Sequence, residues 1–262
     1  SRTNCSNYAR KRNPSTKEWN CFTYNIHKDI FWLFAVEYAT LNSQKEFNSS
    51  LSSSGYKQGG LGDGATTLDS AKWNNFNSYY PFIPCGYTDE LGNGTGEVEF
   101  SMHYEYDSSI KTLNVSCYRR IENPFGHIWK WSDGINVEIQ SEASGGLSKV
   151  YVTDDPEYFN DSDYSGMSHV GNEARTSSQY VKSVIFGDGG EIIPDVVGGS
   201  STTYFCDNHY TSIPSSSVSL RGVRFGGAAY GGAGAGLVCA SSDYAPSDTY
   251  AYIGSRLCFI PS

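Results

Sequence analysis

The segment RGVRFGGAAYGGAGAGLVCASSDYAPSDTYAYIGSRLCFIPS, Arg221 to Ser262, decides how the chain is read. Seven glycines fall between Gly222 and Gly236, and tyrosines and aspartates then alternate with Ala, Ser and Pro. The small residues are too many for an ordinary core and too regular for a linker. Removing one set of positions leaves a frame: RFGG-x-A-x-x-GA-x-AGLVCA-x-S-x-x-APS-x-T-x-A-x-IGSRLCF. The ten x positions hold Ala228, Tyr230, Gly231, Gly234, Ser241, Asp243, Tyr244, Asp248, Tyr250 and Tyr252.

The frame carries the residues that fix a backbone. Gly222, Gly226, Gly227 and Gly236 allow tight turns, and Pro246 pre-sets another. Leu237, Val238 and Cys239 are expected to anchor a buried strand. Ile253, Leu257 and Phe259 are expected to return the last strand to the core, with Arg256 organising loop carbonyls or an acid from within. The x positions are of another kind. Tyr, Ser, Gly and Asp are what adaptable binding surfaces use: tyrosine brings a large amphipathic area on few rotors, and small residues admit a partner closely. A Gly/Ser/Tyr-rich loop with no partner is the plain alternative.

Over Arg221 to Phe259 the pattern resembles the variable regions of diversity-generating retroelement proteins. These include phage receptor-binding tail proteins of the major tropism determinant type and related proteins of gut Bacteroidetes and their phages. Support is weaker at Gly126–Ile135 and at GYTDELGNGTGEV, and vague before Gly60. The resemblance implies an α+β chain with a C-type lectin fold of the formylglycine-generating-enzyme type, made of short antiparallel strands with two helices and long loops. It implies a non-enzymatic receptor-binding protein without cofactor, recognising a cell-surface protein or glycan through the ten positions from a virion tail or a bacterial cell surface. In that family an error-prone reverse transcriptase rewrites adenines, and the exchangeable positions are typically AAC or AAT codons. Rewriting both adenines of such a codon never yields Lys, Glu, Gln, Met or Trp, and none of these stands at the ten positions.

The rest of the chain bounds this reading. Its 262 residues suit one domain, 1–262, with an N-terminal helical part at 1–59 and the variable region at 221–259. Charged residues make up 18%, against about a quarter in ordinary domains, while aromatics reach 15% with twenty tyrosines. A net charge of −9 argues against nucleic acid or an anionic membrane as partner. Arg10, Lys11 and Arg12, the tightest basic cluster, read as a solvated tail. The start shows no signal-peptide pattern, and no apolar run approaches the ~20 residues of a membrane span. No assembly domain is evident, so a monomer is expected. Seven scattered cysteines form no zinc pattern and cannot all pair within the chain. Most are expected as buried thiols, with one or two disulfides left open.

Helical spacing follows a cap at Asn25: Ile26, Ile30, Leu33, Phe34 and Leu41 share a face widened by Phe31, Trp32 and Val36, and the length extends to Phe47. A shorter helix is expected after Thr67. Beyond Gly96 the period becomes two. Val98, Phe100, Met102, Tyr104 and Tyr106 alternate with polar residues, and KTLNVSCY returns with Leu113, Val115 and Cys117 inward. Further strands are expected at GINVEIQ, SKVYVT, YVKSVIF, GLVCA and SRLCFI.

Enzyme signatures are missing: there is no G-x-S-x-G elbow, no H-E-x-x-H and no phosphate-binding glycine spacing. His103-Tyr104-Glu105 matches half of a zinc-deaminase pattern without its P-C-x-x-C. From Asp161 the loop DSDYSGMSHVGN opens like a calcium loop, with Asp161, Asp163 and Ser165 as candidate ligands, but Asn172 replaces the twelfth-position acid. A solvated acidic turn is the competing reading. Trp129 and Trp131 lie two apart and fit core packing or a sugar-stacking platform. The formylglycine-generating alternative needs a close cysteine pair, which Cys239 and Cys258 do not form in sequence. A calcium-dependent lectin needs a W-N-D strand, from which Trp131-Ser132-Asp133 departs.

Overall fold

Thr23 opens the first long helix. Its hydroxyl accepts from the Ile26 N–H at 3.5 Å, and α2 runs Tyr24–Tyr38. The expected cap at Asn25 lies two residues too late, because the threonine hydroxyl before it already serves the orphan donors. In this computed structural model, which describes residues 1–47, 85–104, 109–250 and 252–261, the helix stops well short of Phe47. Ala39 takes a left-handed conformation (φ 51°) and ends it. Tyr24, His27, Ile30, Phe31 and Phe34 form the buried stripe. Leu33 and Val36, expected to widen that face, are 62% and 81% exposed. They lie about 125° and 175° from the centre of the stripe at 100° per residue. The helix expected after Thr67, together with Glu105 and Tyr106, lies outside the described residues.

The N-terminus is not a loose tail. Helix α1 (Arg2–Arg10) begins on Ser1, and Arg2 is buried at 1% exposure. Its guanidinium donates to the carbonyls of Ile135 (2.8 Å), Ser132 (3.2 Å) and Asn160 (2.9 Å), to Asn136 Oδ1 (2.6 Å) and to Asp161 Oδ1 (2.5 Å). Arg10 donates to Asn20 and to the Pro156 carbonyl, while Lys11 and Arg12 are exposed. The basic cluster is therefore solvated only in part.

The described residues mix α and β structure, mostly sheet with two α-helices. Strand β1 (Trp19–Cys21) precedes α2, and a three-stranded sheet follows from β2 (Thr95–Tyr104), β3 (Ser109–Tyr118) and β4 (Ile121–Glu122). Val115 and Cys117 are fully buried there, as expected, but Ser116 and Tyr118 are buried as well, at 2% each, so the burial does not alternate along this part of β3. A larger, nine-stranded sheet uses β5 (Trp129–Ile139), β6 (Ser148–Val152), β7 (Ser168–Glu173), β8 (Gln179–Phe186), β9 (Glu191–Val197), β10 (Asn208–Tyr210), β11 (Ser219–Phe225), β12 (Ala240–Ser241) and β13 (Ile253–Gly254). Its order is β7-β6-β5-β11-β12-β10-β8-β9, with β13 parallel beside β5. The Ala174 N–H, just past β7, donates to Pro194 of β9 at 2.8 Å, so the sheet nearly closes on itself. Helix α2 packs against the core of this sheet, with Tyr24 and His27 on the Phe225 ring at 5.7 and 4.5 Å.

Two expectations about the C-terminal segment need correction. GLVCA is not a strand before Ala240. Leu237 and Val238 sit in a buried turn whose N–H groups donate to Ser43 Oγ (2.9 Å) and Asp207 Oδ2 (2.7 Å). Side chains thus satisfy the backbone where a neighbouring strand was expected. In β14 (Leu257–Phe259), which pairs antiparallel with β1, Cys258 points inward, while Leu257 and Phe259 are 50% and 48% exposed. The strand alternates as read, but in the opposite phase. All seven cysteines are free thiols, five of them buried.

Replacing Arg2 by Ala strands Asp161, Asn136 and three carbonyls, and should lower unfolding free energy by ~3–5 kcal/mol in a denaturant titration. Leu257→Ala should stay within ~0.5 kcal/mol in the same assay.

Candidate functional site

Strand β11 runs between β5 and β12, so Arg224 stands opposite Trp131 on one side and Ser241 on the other. Its guanidinium is 2% exposed. Nη2 donates to Ser241 Oγ and to Asp243 Oδ1, both at 2.6 Å, and Ser241 also donates to Asp243 Oδ1. The charge lies over three rings, at 4.1 Å from the Tyr244 centroid, 4.9 Å from Trp129 and 5.6 Å from Trp131. Burial pulls the Arg224 guanidinium down from its ordinary value, opposed chiefly by Asp243. Among the described residues Nε and Nη1 have no hydrogen-bond partner, and with the rings so close the π faces take their place.

Beside this cation a cavity of about 190 Å³ opens to the surface. Its floor is Gly227, Ala228, Gly231, Gly234, Ala235 and Cys239, none larger than a methyl or a thiol. Trp129, Tyr210, Tyr244 and Tyr252 make the walls, with Arg224 and Asp243 at one end. Trp129 and Tyr210 meet edge to face at 5.8 Å. Outside, Tyr250 stacks on Tyr252 at 5.2 Å and 15° and lies 5.1 Å from Tyr244. The Tyr244 and Tyr252 hydroxyls are 3.4 Å apart. That bond, with burial, pushes the Tyr244 phenol up to about 12, so it stays neutral.

The backbone of the floor requires glycine at two places. Gly227 sits at φ +74°, and a Cβ there would come within 2.9 Å of Ala235. A Cβ on Gly236 would strike Asp207 Oδ1 at 2.0 Å. Burial pushes the Asp207 carboxyl well above the carboxylate range, while the Val238 and Cys239 N–H groups pull it back down.

Six of the ten positions singled out in the sequence line this one cavity: Ala228, Gly231, Gly234, Asp243, Tyr244 and Tyr252. The ten do not all face outward. Ala228, Gly234 and Ser241 are buried, Ser241 beneath the rim as a partner of Arg224. Asp248 turns back to accept from the Ala245 N–H at 2.9 Å. Tyr250 is 38% exposed, and Tyr230 belongs to the short turn Ala229–Gly234. Sequence reasoning missed Tyr210, which lies before the frame with no signal to mark it. It also left Arg224 in the frame without a role. Trp129 joins the two readings of its pair, being both 6% exposed and a wall of the cavity.

The other candidates lie elsewhere. Asp161 accepts from Arg2 through one oxygen and from the Thr3 hydroxyl through the other. Asp163 Oδ1 accepts from the Ser165 N–H at 2.9 Å and from Asn160 at 3.2 Å. Protein donors thus occupy these oxygens, and the described residues hold no cluster of three or more His, Cys, Asp or Glu suited to a metal. Cys239 lies in the cavity floor with its thiol pushed well up by burial, whereas Cys258 sits in β14 opposite Asn20. Arg256 donates to the Glu122 and Asn123 carbonyls, the role its position suggested. Among the described residues no helix is long and apolar enough to cross a membrane. No protein-family model matches the chain, and no curated protein is similar to it in sequence.

Behind the cavity, Glu173 at the end of β7 accepts from Ser242 (2.7 Å) and Thr211 (3.0 Å), tying β7 to the residue after β12. Burial raises its carboxyl to about 7. Below about pH 4.5 the folded and unfolded states are both protonated; above it the unfolded chain ionises first. Glu173 therefore contributes most stability at acid pH and loses it as pH rises to about 7. The buried neutral histidines run the other way: His27 and His127 are held at about 3 and His209 at about 4, chiefly by burial. Their contribution is present above pH 6.5 and lost on acidification. Comparison with Glu173→Gln cancels the histidines. The stability advantage of the wild type over this variant should shrink by roughly 2–3 kcal/mol between pH 4.5 and 7.5, measured by urea titration.

Proposed function

We propose that this chain is a non-enzymatic binding protein with a C-type lectin fold of the formylglycine-generating type. Its C-terminal segment presents a diversified site to a macromolecular ligand on a cell surface, from a virion tail or a bacterial envelope. One observation carries the reading: six positions picked out by their alternation with a plain frame converge on a single cavity. Residues of the turn 228–234 and residues of the later loop 243–252 have no need to meet unless the pattern has a spatial purpose. The walls have the composition of an adaptable recognition surface, in which tyrosine supplies most of the area. The frame residues Gly227, Gly236 and Arg224 hold that surface from behind.

The enzyme alternative requires two thiols at the reacting centre, and among the described residues Cys239 is the one cysteine lining this cavity.

The experiment is a binding titration on intact bacteria with purified wild type, Tyr250→Ser and Tyr252→Ser. Both substitutions should weaken binding by roughly tenfold or more, with Tyr250→Ser moving stability by no more than ~0.5 kcal/mol. Unchanged binding by both variants, or global unfolding of Tyr250→Ser, would contradict the reading.

A further inference from the structure

We infer that the cavity takes one uncharged, hydroxyl-bearing ring, the pyranose residue of a neutral glycan, with the Asp243 carboxylate accepting from its hydroxyls. This rests on the binding function proposed above and specifies the ligand of that same site.

Size is the first constraint. An apolar cavity of ~150 Å³ holds a benzene ring, so about 190 Å³ holds one substituted six-membered ring. Shape is the second. A stable protein partner covers ~800 Å² of open surface. Here Ala228, Gly234 and Ser241 are sealed, and Gly231, Asp243, Tyr244, Asp248 and Tyr252 are part-buried. Among the described side chains of the ten, Tyr250 alone is exposed, at 38%, so the site recedes where a flat protein interface would spread.

Charge decides among the rings that fit. Arg224 lies 4.1 Å from the Tyr244 ring and turns a cationic group away. Asp243, with its side chain 29% exposed at the cavity end, opposes an anionic one in a chain of net charge −9. A wholly apolar ring would strip water from Asp243 Oδ2. Oδ1 already takes Arg224 and Ser241, but Oδ2 has no protein donor among the described residues. A buried acceptor left without a donor is costly. The ligand must therefore bring hydrogen-bond donors at its edge and an apolar face for Trp129, Tyr244 and Tyr252. A neutral pyranose has both, with hydroxyls around the rim and C–H groups on the faces.

The test uses the full chain on an array of neutral and acid-bearing glycans. In parallel, bacterial envelopes are probed untreated, after periodate oxidation of vicinal diols and after protease digestion. Variants are Asp243→Asn and, because loss of that carboxylate could disturb Arg224, Tyr252→Phe, each checked by near-UV circular dichroism. The expected result is binding to neutral glycans, reduced roughly tenfold or more by Asp243→Asn and less by Tyr252→Phe. Envelope binding should vanish after periodate and survive protease. Absence of neutral-glycan binding, binding confined to acid-bearing glycans, or envelope binding that resists periodate and is removed by protease would overturn the inference. That last outcome would leave the proposed binding function standing with a protein as ligand. Envelope binding that neither variant alters, or none at all, would overturn both.

Discussion

A buried guanidinium is the constraint on which the ligand site depends. Arg224 is covered on all sides, and a buried charge must find compensation. It finds one carboxylate, one hydroxyl and three aromatic faces, and these come from separate parts of the chain: Trp129 and Trp131 from β5, Ser241 from β12, Asp243 and Tyr244 from the loop beyond. Each is held where the cation needs it, so the wall of the cavity and the end of the central sheet form one unit. Without such a centre, a segment this rich in glycine would lose much conformational entropy on folding for little buried area in return.

The same arrangement explains how a rigid base and a variable rim coexist. Positions behind the surface meet tight contacts. A Cβ on Gly227 or Gly236 runs into Ala235 or Asp207, and one on Gly234 comes within 3.1 Å of Asn208. A Cβ on Gly231 meets nothing nearer than Ala235 at 3.5 Å, so a side chain can grow there toward the opening. Tyr250 leans on Tyr244 and Tyr252, while Tyr244 also covers Arg224. The depth of the cavity is therefore set by the small positions and its recognition chemistry by the large ones. Under repeated sequence change the first set tunes how much of a ligand can enter, and the second decides what it touches.

How much of this was legible in the sequence follows from the range of the interactions involved. The β2–β3 hairpin was readable because alternation is local, and Val115 and Cys117 lie where it placed them. The existence of α2 was readable too, but its ends were not. Thr23 and Asn25 are both good caps, and Ala39 gives no warning of its left-handed turn. The phase of β14 depended on pairing with β1, over two hundred residues earlier, which no window contains. Nothing near Arg2 in the sequence marks it as buried, because its partners at Ser132, Ile135, Asn136 and Asp161 are 130 or more positions away. The ten positions were legible as a set through their contrast with the frame. That they divide into sealed, anchored and open members was not, because this division comes from Arg224 and Asp207 reaching across the fold.

The central claim is that the C-terminal segment consists of a fixed frame and replaceable settings. The most direct measurement is a full substitution scan of residues 224–252, displayed on a surface and sorted by resistance to protease. The account predicts that Tyr250 and Gly231 accept most residues with little loss of resistance, while Arg224, Gly227 and Gly236 accept almost none. Equal intolerance at both sets, or free exchange at Arg224, would contradict it.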